Sequence, residues 1–316
     1  MLIPLLKAKI TTKPFILSHL LTQRCNLDCP YCLWKDNKAN ELSLEQIKTI
    51  HTDAAKTGFK AVFLWGGEPF LRKDLLEIVQ YDKKLGWRVT IATNGCFVRK
   101  DALPYIDEML ISLDVASSKQ DQIVKGKNVF KKVQEAITLT KKHNPACKIR
   151  LCAVLSQHNK KDLRELANFA QAQGCTLVPQ HIDSNPNYPN DCDLSQKERD
   201  EVIEELQTLK REGLPLASSW AYLDQFKSPT KTFQCRSQRV YFTVWPDGAV
   251  RSCMTREKIA NALTTPIKTI LRSPNYQAFL CKSKNCARCR DAGTLETTMA
   301  HNLQLEPLLN TIKNFG

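Results

Sequence analysis

The sequence predicts an α/β fold in which a parallel sheet of six βα units curves into a partial barrel, followed by a small α+β extension. Two observations predict it. Short β-branched apolar runs alternate with amphipathic stretches across residues 15–180, and near the C-terminus a hairpin-like aromatic segment replaces that alternation. A strand that returns beside its predecessor in the same direction needs a crossover, so sustained alternation builds a parallel sheet. Six consecutive right-handed units favour a curved sheet over a flat one, and barrels of this kind carry their chemistry at the strand C-terminal ends.

The expected strands are Phe15–Thr22, Ala61–Trp65, Arg88–Thr93, Met109–Asp114, Lys148–Leu155 and Thr176–Gln180. The helical stretches between them are Ser43–Thr57, Lys73–Leu85, Lys100–Ile106, Val129–His143 and Lys160–Gln173. Turn residues crowd Asp183–Asp193, and a polar helix runs from Ser195 to Arg211. Arg239–Trp245, the Pro246-Asp247-Gly248 turn and a short run to Ser252 read as a β-hairpin. The expected division is a core over residues 1–190, a helical linker over 191–232 and an extension over 233–316.

The chain has 316 residues, enough for a large core, and 13 cysteines. The opening MLIPLLKAKITTKPF has interspersed charges and does not read as a secretory leader. An odd number of cysteines clustered at short spacings then points to metal ligands or catalytic thiols in a reducing cytoplasm rather than to disulfides. No apolar run is long enough to span a bilayer. A net charge of +14 raises an anionic partner, including nucleic acid, but the lysines fall in scattered pairs such as Lys83-Lys84 and Lys141-Lys142, the pattern of solvated helix faces.

Directly after the first expected strand, Cys25, Cys29 and Cys32 form a CxxxCxxC motif with Tyr31 before the last cysteine. Three thiolates leave one iron of a four-iron cluster open to a small molecule, whereas a closed structural site wants four ligands. A zinc site completed by a distant fourth group is the alternative reading of the motif alone. Gly66-Gly67-Glu68-Pro69, at the end of the second strand, weighs against it, because a glycine pair there permits close approach to a ligand.

On these residues the sequence resembles the radical S-adenosylmethionine (SAM) superfamily, from about residue 15 to 180. The resemblance implies a partial (βα)6 barrel in which Cys25, Cys29 and Cys32 hold a [4Fe-4S] cluster. It also implies that Tyr31 lies by the adenine of SAM and that the backbone of Gly66, Gly67, Glu68 and Pro69 meets its amino group. Thr93-Asn94 at the third strand, Ser112 and Asp114 at the fourth, Asn159 after the fifth and Val178 on the sixth stand where the superfamily contacts SAM or substrate. An electron donor such as flavodoxin or ferredoxin is implied with them.

Cys235 and Cys253 flank the expected hairpin, and Cys286 and Cys289 form a CxxC. Four thiolates close a coordination sphere, for zinc or for a cluster. The spacing resembles the SPASM and twitch extensions of radical SAM enzymes, which implies an auxiliary [4Fe-4S] cluster on these four. Cys281 has no assigned role. Cys96, Cys147, Cys152 and Cys175 lie in or beside apolar runs and read as buried thiols. Cys192, between two aspartates, is a candidate hydrogen donor, and His181 and Asp183 are candidate bases facing the reaction chamber. The expected activity is hydrogen abstraction from a small molecule or peptide by a 5′-deoxyadenosyl radical, with substrate oxidation assisted by the auxiliary cluster. Only about 15 residues precede the first strand, which tilts the expectation slightly toward a small metabolite. A cofactor-biosynthetic or nucleic-acid modifying enzyme and a zinc-stabilised structural protein are the alternatives.

Overall fold

The computed structural model describes residues 13–182, 190–227, 234–253, 255–284, 286, 289 and 291–315. All six expected strands form: β1 (Ile16–Thr22), β2 (Ala61–Gly66), β3 (Arg88–Thr93), β4 (Glu108–Ser112), β5 (Lys148–Leu155) and β6 (Thr176–His181). They pair in parallel in chain order, and a seventh strand, β7 (Tyr241–Val244), adds in parallel to the far side of β1. The sheet order is therefore β6-β5-β4-β3-β2-β1-β7.

The crossover helices α1 (Leu44–Thr57), α2 (Leu75–Lys84), α3 (Lys119–Val124), α4 (Val129–His143) and α5 (Leu163–Ala172) cover one face of the sheet. Val62, Leu64, Val89, Ile91, Met109 and Leu151 point into them and are fully buried with Ile47, Ile78, Val133 and Leu166. Alternate strand residues on the concave face are only partly covered, as the pattern of β2, β3, β6 and β7 shows. One face packs a core; the other lines an open lumen. Ser43 caps α1 in a reciprocal capping box with Gln46 and fixes where that helix starts. Within the helical layer His51 Nδ1 donates to Asp82 Oδ1 at 2.6 Å and His51 Nε2 meets His19 Nδ1 at 2.9 Å, so β1, α1 and α2 share one buried polar chain.

Two local expectations fail for identifiable reasons. The stretch 100–106 forms one turn of 3-10 helix, Leu103–Tyr105, because Pro104 removes a donor and the segment is too short to nucleate more. The hairpin was assigned the wrong partner: its turn closes with Trp245 N–H to Ala249 O at 2.8 Å, but β7 is taken by the main sheet. β8 (Ala249–Arg251) instead pairs antiparallel with β9 (Lys258–Asn261). Sequence alternation cannot tell an edge strand of the barrel from a hairpin arm.

Beyond β6, α6 (Gln196–Arg211) and α7 (Trp220–Lys227) return the chain toward β7, and α8 (Ile267–Arg272), α9 (Pro274–Lys284), α10 (Ala292–His301) and α11 (Leu305–Phe315) follow the β8–β9 pair. Helix α10 bridges the two outermost strands of the sheet, β6 and β7. Its Ala292 N–H donates to Gln180 Oε1 of β6 at 2.8 Å, Thr298 Oγ1 accepts from Arg236 N–H just before β7 at 3.1 Å, and Ala300 packs with Phe15, Ile16 and Val240. Glu296 accepts from Ser219 N–H at 2.6 Å, tying the same helix to the start of α7. Leu295 of α10 is fully buried. Its replacement by Ala is expected to lower stability by about 3 kcal/mol through the cavity left behind, measured by urea denaturation; a change below about 1 kcal/mol would show that α10 is dispensable to the closed side.

Candidate functional site

The loop that leaves β1 carries Cys25, Cys29 and Cys32 and is held from four sides. At its root, Glu41 accepts from Thr22 Oγ1, from Arg24 Nε at 2.9 Å and from Arg24 Nη2 at 2.8 Å. Arg72, 4% exposed, donates to the Leu21 and Leu42 carbonyls and pairs with Asp74 and Glu41. Its buried guanidinium ties the root of the loop to the segment before α1 and is fully engaged, as a buried charge must be.

The Gly66-Gly67 pair has a second reason besides the one the sequence suggests. A Cβ on either would lie 2.1 Å from a carbonyl oxygen, of Thr22 for Gly66 and of Arg24 for Gly67. Gly67 N–H donates to Thr22 O at 2.7 Å and Glu68 N–H to Arg24 O at 2.8 Å. The glycines let the end of β2 lie against the root of the cysteine loop. Glu68 then turns inward: its carboxylate accepts from Phe70 N–H, Thr93 Oγ1 and Asn94 N–H, and burial pushes it up to about 7 against those donors. Pro69 opens the short 3-10 turn after it. Glu68 and Thr93 are thus braces, while Asn94 reaches the loop, its Nδ2 donating to Asn26 Oδ1 at 2.8 Å and lying 3.8 Å from Cys25 Sγ.

From the β4 side, Asp114 accepts from the Tyr31 hydroxyl and, at 2.8 Å, from Val154 N–H. Burial lifts its carboxyl to about 6. Asn159, fully buried, donates through Nδ2 to the carbonyls of Asp114 and Val154 and joins the ends of β4 and β5. Ser112 and Val178 are the two sequence-predicted contacts that open toward the lumen, at the end of β4 and midway along β6.

The three thiols are mutual neighbours. Burial raises Cys29 to about 12, with Asp114, Cys32 and Cys25 adding to the effect, and it raises Cys25 with Glu68 and Cys32 contributing. Thiols kept protonated by burial, as Cys25 and Cys29 are, fit a cationic iron centre, which deprotonates its ligands on binding. In the second set two thiols are raised. Cys235 is raised by burial with Cys286 contributing, and Cys289 by burial with Asp291, Cys235 and Cys253 contributing. Cys281 is exposed on α9. Cys289 stands two residues before the Asp291 cap of α10, whose first residues meet Gln180 on the lumen face.

Sequence reasoning missed the contact that joins the two cysteine regions. Trp34, two residues past Cys32, packs edge-on against Trp65 at 4.9 Å and Trp245 at 5.9 Å between ring centroids. Its ring also carries the Arg256 guanidinium at 5.0 Å, and Arg256 lies in the turn that holds Cys253. Trp65 N–H donates to Ser18 Oγ at 2.9 Å. The only signal available was the presence of tryptophan beside each cysteine segment.

One candidate catalytic residue sits away from the lumen. His181 is buried on the helix-facing side of β6, its ring 3.9 Å from Phe226 and 6.5 Å from Tyr222 of α7, because the alternation of β6 gives the lumen to Val178 and Gln180. Cys192 stands on a half-exposed loop with Sγ 3.4 Å from His158 Nε2. Asp183 lies outside the described residues.

Replacing Gly67 with Ala forces the cysteine loop off β2. Anaerobically assembled protein is expected to lose most of the iron bound at Cys25, Cys29 and Cys32, with a stability loss of about 1–3 kcal/mol from overpacking. Wild-type iron content in this variant would contradict the close-packing account.

Comparison with known proteins matches this geometry. The Radical SAM superfamily model matches residues 20–170, and an iron-sulfur cluster-binding domain model, SPASM, matches residues 235–290. A probable GTP 3',8-cyclase of Pyrococcus horikoshii is 27% identical over 258 residues, covering 75% of this chain and 82% of that protein. Mycofactocin maturase MftC of Mycolicibacterium smegmatis is 32% identical over 173 residues, covering 52% of this chain and 43% of that one. Several further curated relatives are matched over about half of their own length. Streptococcus suis SuiB bound to S-adenosylmethionine shares the fold at a TM-score of 0.71 and 17% identity, covering 94% of this chain and 76% of that one. No helix among the described residues is long and apolar enough to cross a membrane. The cofactors that the two domains bring are a [4Fe-4S] cluster with SAM and auxiliary iron–sulfur. The chain belongs to the radical SAM superfamily and is an enzyme of the branch that carries a SPASM domain.

Proposed function

We propose that the chain binds SAM at a [4Fe-4S] cluster held by Cys25, Cys29 and Cys32 and abstracts a hydrogen atom from a substrate in the lumen, whose oxidation the cysteines of the extension assist. What supports this reading most is the match of residues 20–170 and 235–290 to the radical SAM and SPASM models, together with a loop bearing Cys25, Cys29 and Cys32 that is braced on the ends of β2, β3 and β4. When bound, the cluster and SAM supply a 5′-deoxyadenosyl radical.

The protein's own part is placement and exclusion of water. Tyr31 is oriented by Asp114 and stands beside Cys29 and Cys32, positioned to border the adenine. The backbone of Gly66–Pro69 is fixed on Thr22 and Arg24 and presents its remaining groups to the SAM amino group. Ser112, Val178, Asn94 and Asn159 complete the cofactor wall by contact or by bracing it. Cys235, Cys253, Cys286 and Cys289 would hold an auxiliary cluster, which would supply an electron acceptor for substrate oxidation. Neither His181 nor Cys192 is given a proton or hydrogen transfer in this reading, and Asp183 remains a candidate base.

The favoured substrate class is a peptide, with small-molecule dehydrogenation as the narrower variant. Supporting it are the fold shared with SuiB, solved with its precursor peptide SuiA at a TM-score of 0.70, and the likeness to mycofactocin maturase. A nucleotide substrate is the second reading, favoured by the cyclase relative matched over 82% of its length and by the net charge of +14.

Two variants separate the roles of the cysteine sets. Anaerobic wild-type protein is expected to be brown with about eight irons per chain. Cys25→Ala should abolish 5′-deoxyadenosine release with dithionite and SAM. Cys235→Ala should halve the iron and keep that release within about threefold, while product formation falls at least 100-fold. Release that persists in Cys25→Ala refutes the ligand assignment, and full product formation by Cys235→Ala refutes the auxiliary role.

A further inference from the structure

The back of the cysteine loop is closed by a tight turn. Residues 125–128 run from the end of α3 to the start of α4, with Lys125 at φ 52° and Asn128 at φ 56°, left-handed conformations that non-glycine residues rarely adopt. The turn lies directly on the loop: Asp28 N–H donates to Val124 O at 3.1 Å, and a Cβ on Gly126 would lie 2.8 Å from Leu27 Cδ2. Cys25, Cys29, Tyr31 and Cys96 pack on the same small apolar cluster of Leu27, Val124 and Val129. The turn and this small cluster thus cover the back of the thiol-bearing loop.

That outer side has a distinct chemistry. Phe97, the neighbour of Cys96, is 41% exposed, one of four large apolar side chains so exposed among the described residues. Lys132 lies over its ring at 5.7 Å, and the charge of Lys132 also acts on the Cys96 thiol, as does that of Cys25. Lys125 and Lys127 project from the turn, Lys131 from α4, and Lys35 joins them beside Asp28. The acidic groups here are already spent. Asp28 lies between Lys35 at 3.0 Å and Lys125 at 3.9 Å, Asp121 accepts the N–H groups of Asn128 and Val129, and Glu135 faces Lys131 at 4.0 Å.

We propose that this face, centred on Phe97 and ringed by Lys125, Lys127 and Lys132, docks an acidic flavodoxin that reduces the centre held by Cys25, Cys29 and Cys32. The proposal rests on the functional reading above, which requires one electron per SAM cleaved. The exposed ring offers an apolar seat for the edge of a flavin, and the surrounding lysines attract the carboxylates that flank it and speed encounter, as charges at an interface rim do. In the step itself one electron leaves the flavin hydroquinone, giving the semiquinone, and enters the iron–sulfur centre; no bond between the proteins forms, and the proton that the flavin releases or keeps stays with the carrier.

The test compares two reductants on reconstituted holoenzyme. The double variant K127E/K132E and the single variant F97S are assayed for 5′-deoxyadenosine release, with a bacterial flavodoxin and its NADPH-dependent reductase or with dithionite. A charge-reversed control, K56E/K268E, carries its changes on α1 and α8. The flavodoxin-driven rate of K127E/K132E should fall by about tenfold at low salt, F97S should fall by a similar factor, and the control should stay within twofold of wild type. Dithionite-driven release should stay within twofold in every variant. The wild-type flavodoxin-driven rate should fall steeply as salt is raised, and direct titration should show weaker flavodoxin binding by K127E/K132E. An unchanged flavodoxin-driven rate overturns the proposal, as does an equal loss with dithionite, which would place these residues in the site's own architecture. Lost retention on heparin without a change in flavodoxin-driven rate also overturns it, since the face would then serve a polyanion. Failure of the wild type itself to release 5′-deoxyadenosine with dithionite would instead strike the functional reading.

Discussion

The structure depends on holding three thiols of one short loop together while leaving the side toward the lumen open. Burial opposes ionisation of Cys25 and more strongly of Cys29, which is raised to about 12 by burial, by Asp114 and by its fellow thiols. The fold answers with rigid anchors rather than with neutralising charge. Arg72 and Glu41 fix the root, the Gly66-Gly67 pair lets β2 bear on the Thr22 and Arg24 carbonyls, Asn94 reaches Asn26, and Asp114 takes the Tyr31 hydroxyl. Every anchor comes from the C-terminal end of a strand or the segment just after it, the place where a parallel sheet collects groups from distant parts of the chain.

The second constraint is closure. Seven parallel strands leave β6 and β7 unpaired with each other, and α10 spans that gap from Gln180 to Val240. The same helix is capped by Asp291, two residues after Cys289, so the element that closes the barrel also fixes the chain just beyond the CxxC. Trp34, Trp65, Trp245 and Arg256 make the corresponding junction on the β1–β2–β7 side. Core and extension are therefore joined at both ends of the sheet.

Most of the sheet was legible because buried strands of a parallel sheet read as short apolar runs, and the six strand positions agree with those expected to within a few residues. Both cysteine sets stand out in the sequence because a rare residue recurs there at short spacings, in segments that the radical SAM and SPASM models match. Glycine was legible in place but only in part in purpose, since Gly66 and Gly67 also accommodate Thr22 and Arg24, residues more than 40 positions away that sequence spacing does not bring near. His181 was misread for a related reason: strand periodicity alone gives two faces, and only the packing of Phe226 shows which one the histidine takes. The β7 pairing with β1 joins segments more than 200 residues apart, so no local pattern could have marked it.

The account stands or falls on whether the cluster leaves one iron for the cofactor. Electron–nuclear double resonance on the anaerobic, reduced protein, with SAM labelled with 15N at the methionyl amino group and 17O at the carboxylate, addresses that directly. Hyperfine coupling of both labels to the cluster signal, lost in Cys29→Ala, is the predicted result. A reduced cluster in the wild type that shows no coupling to either label would contradict it.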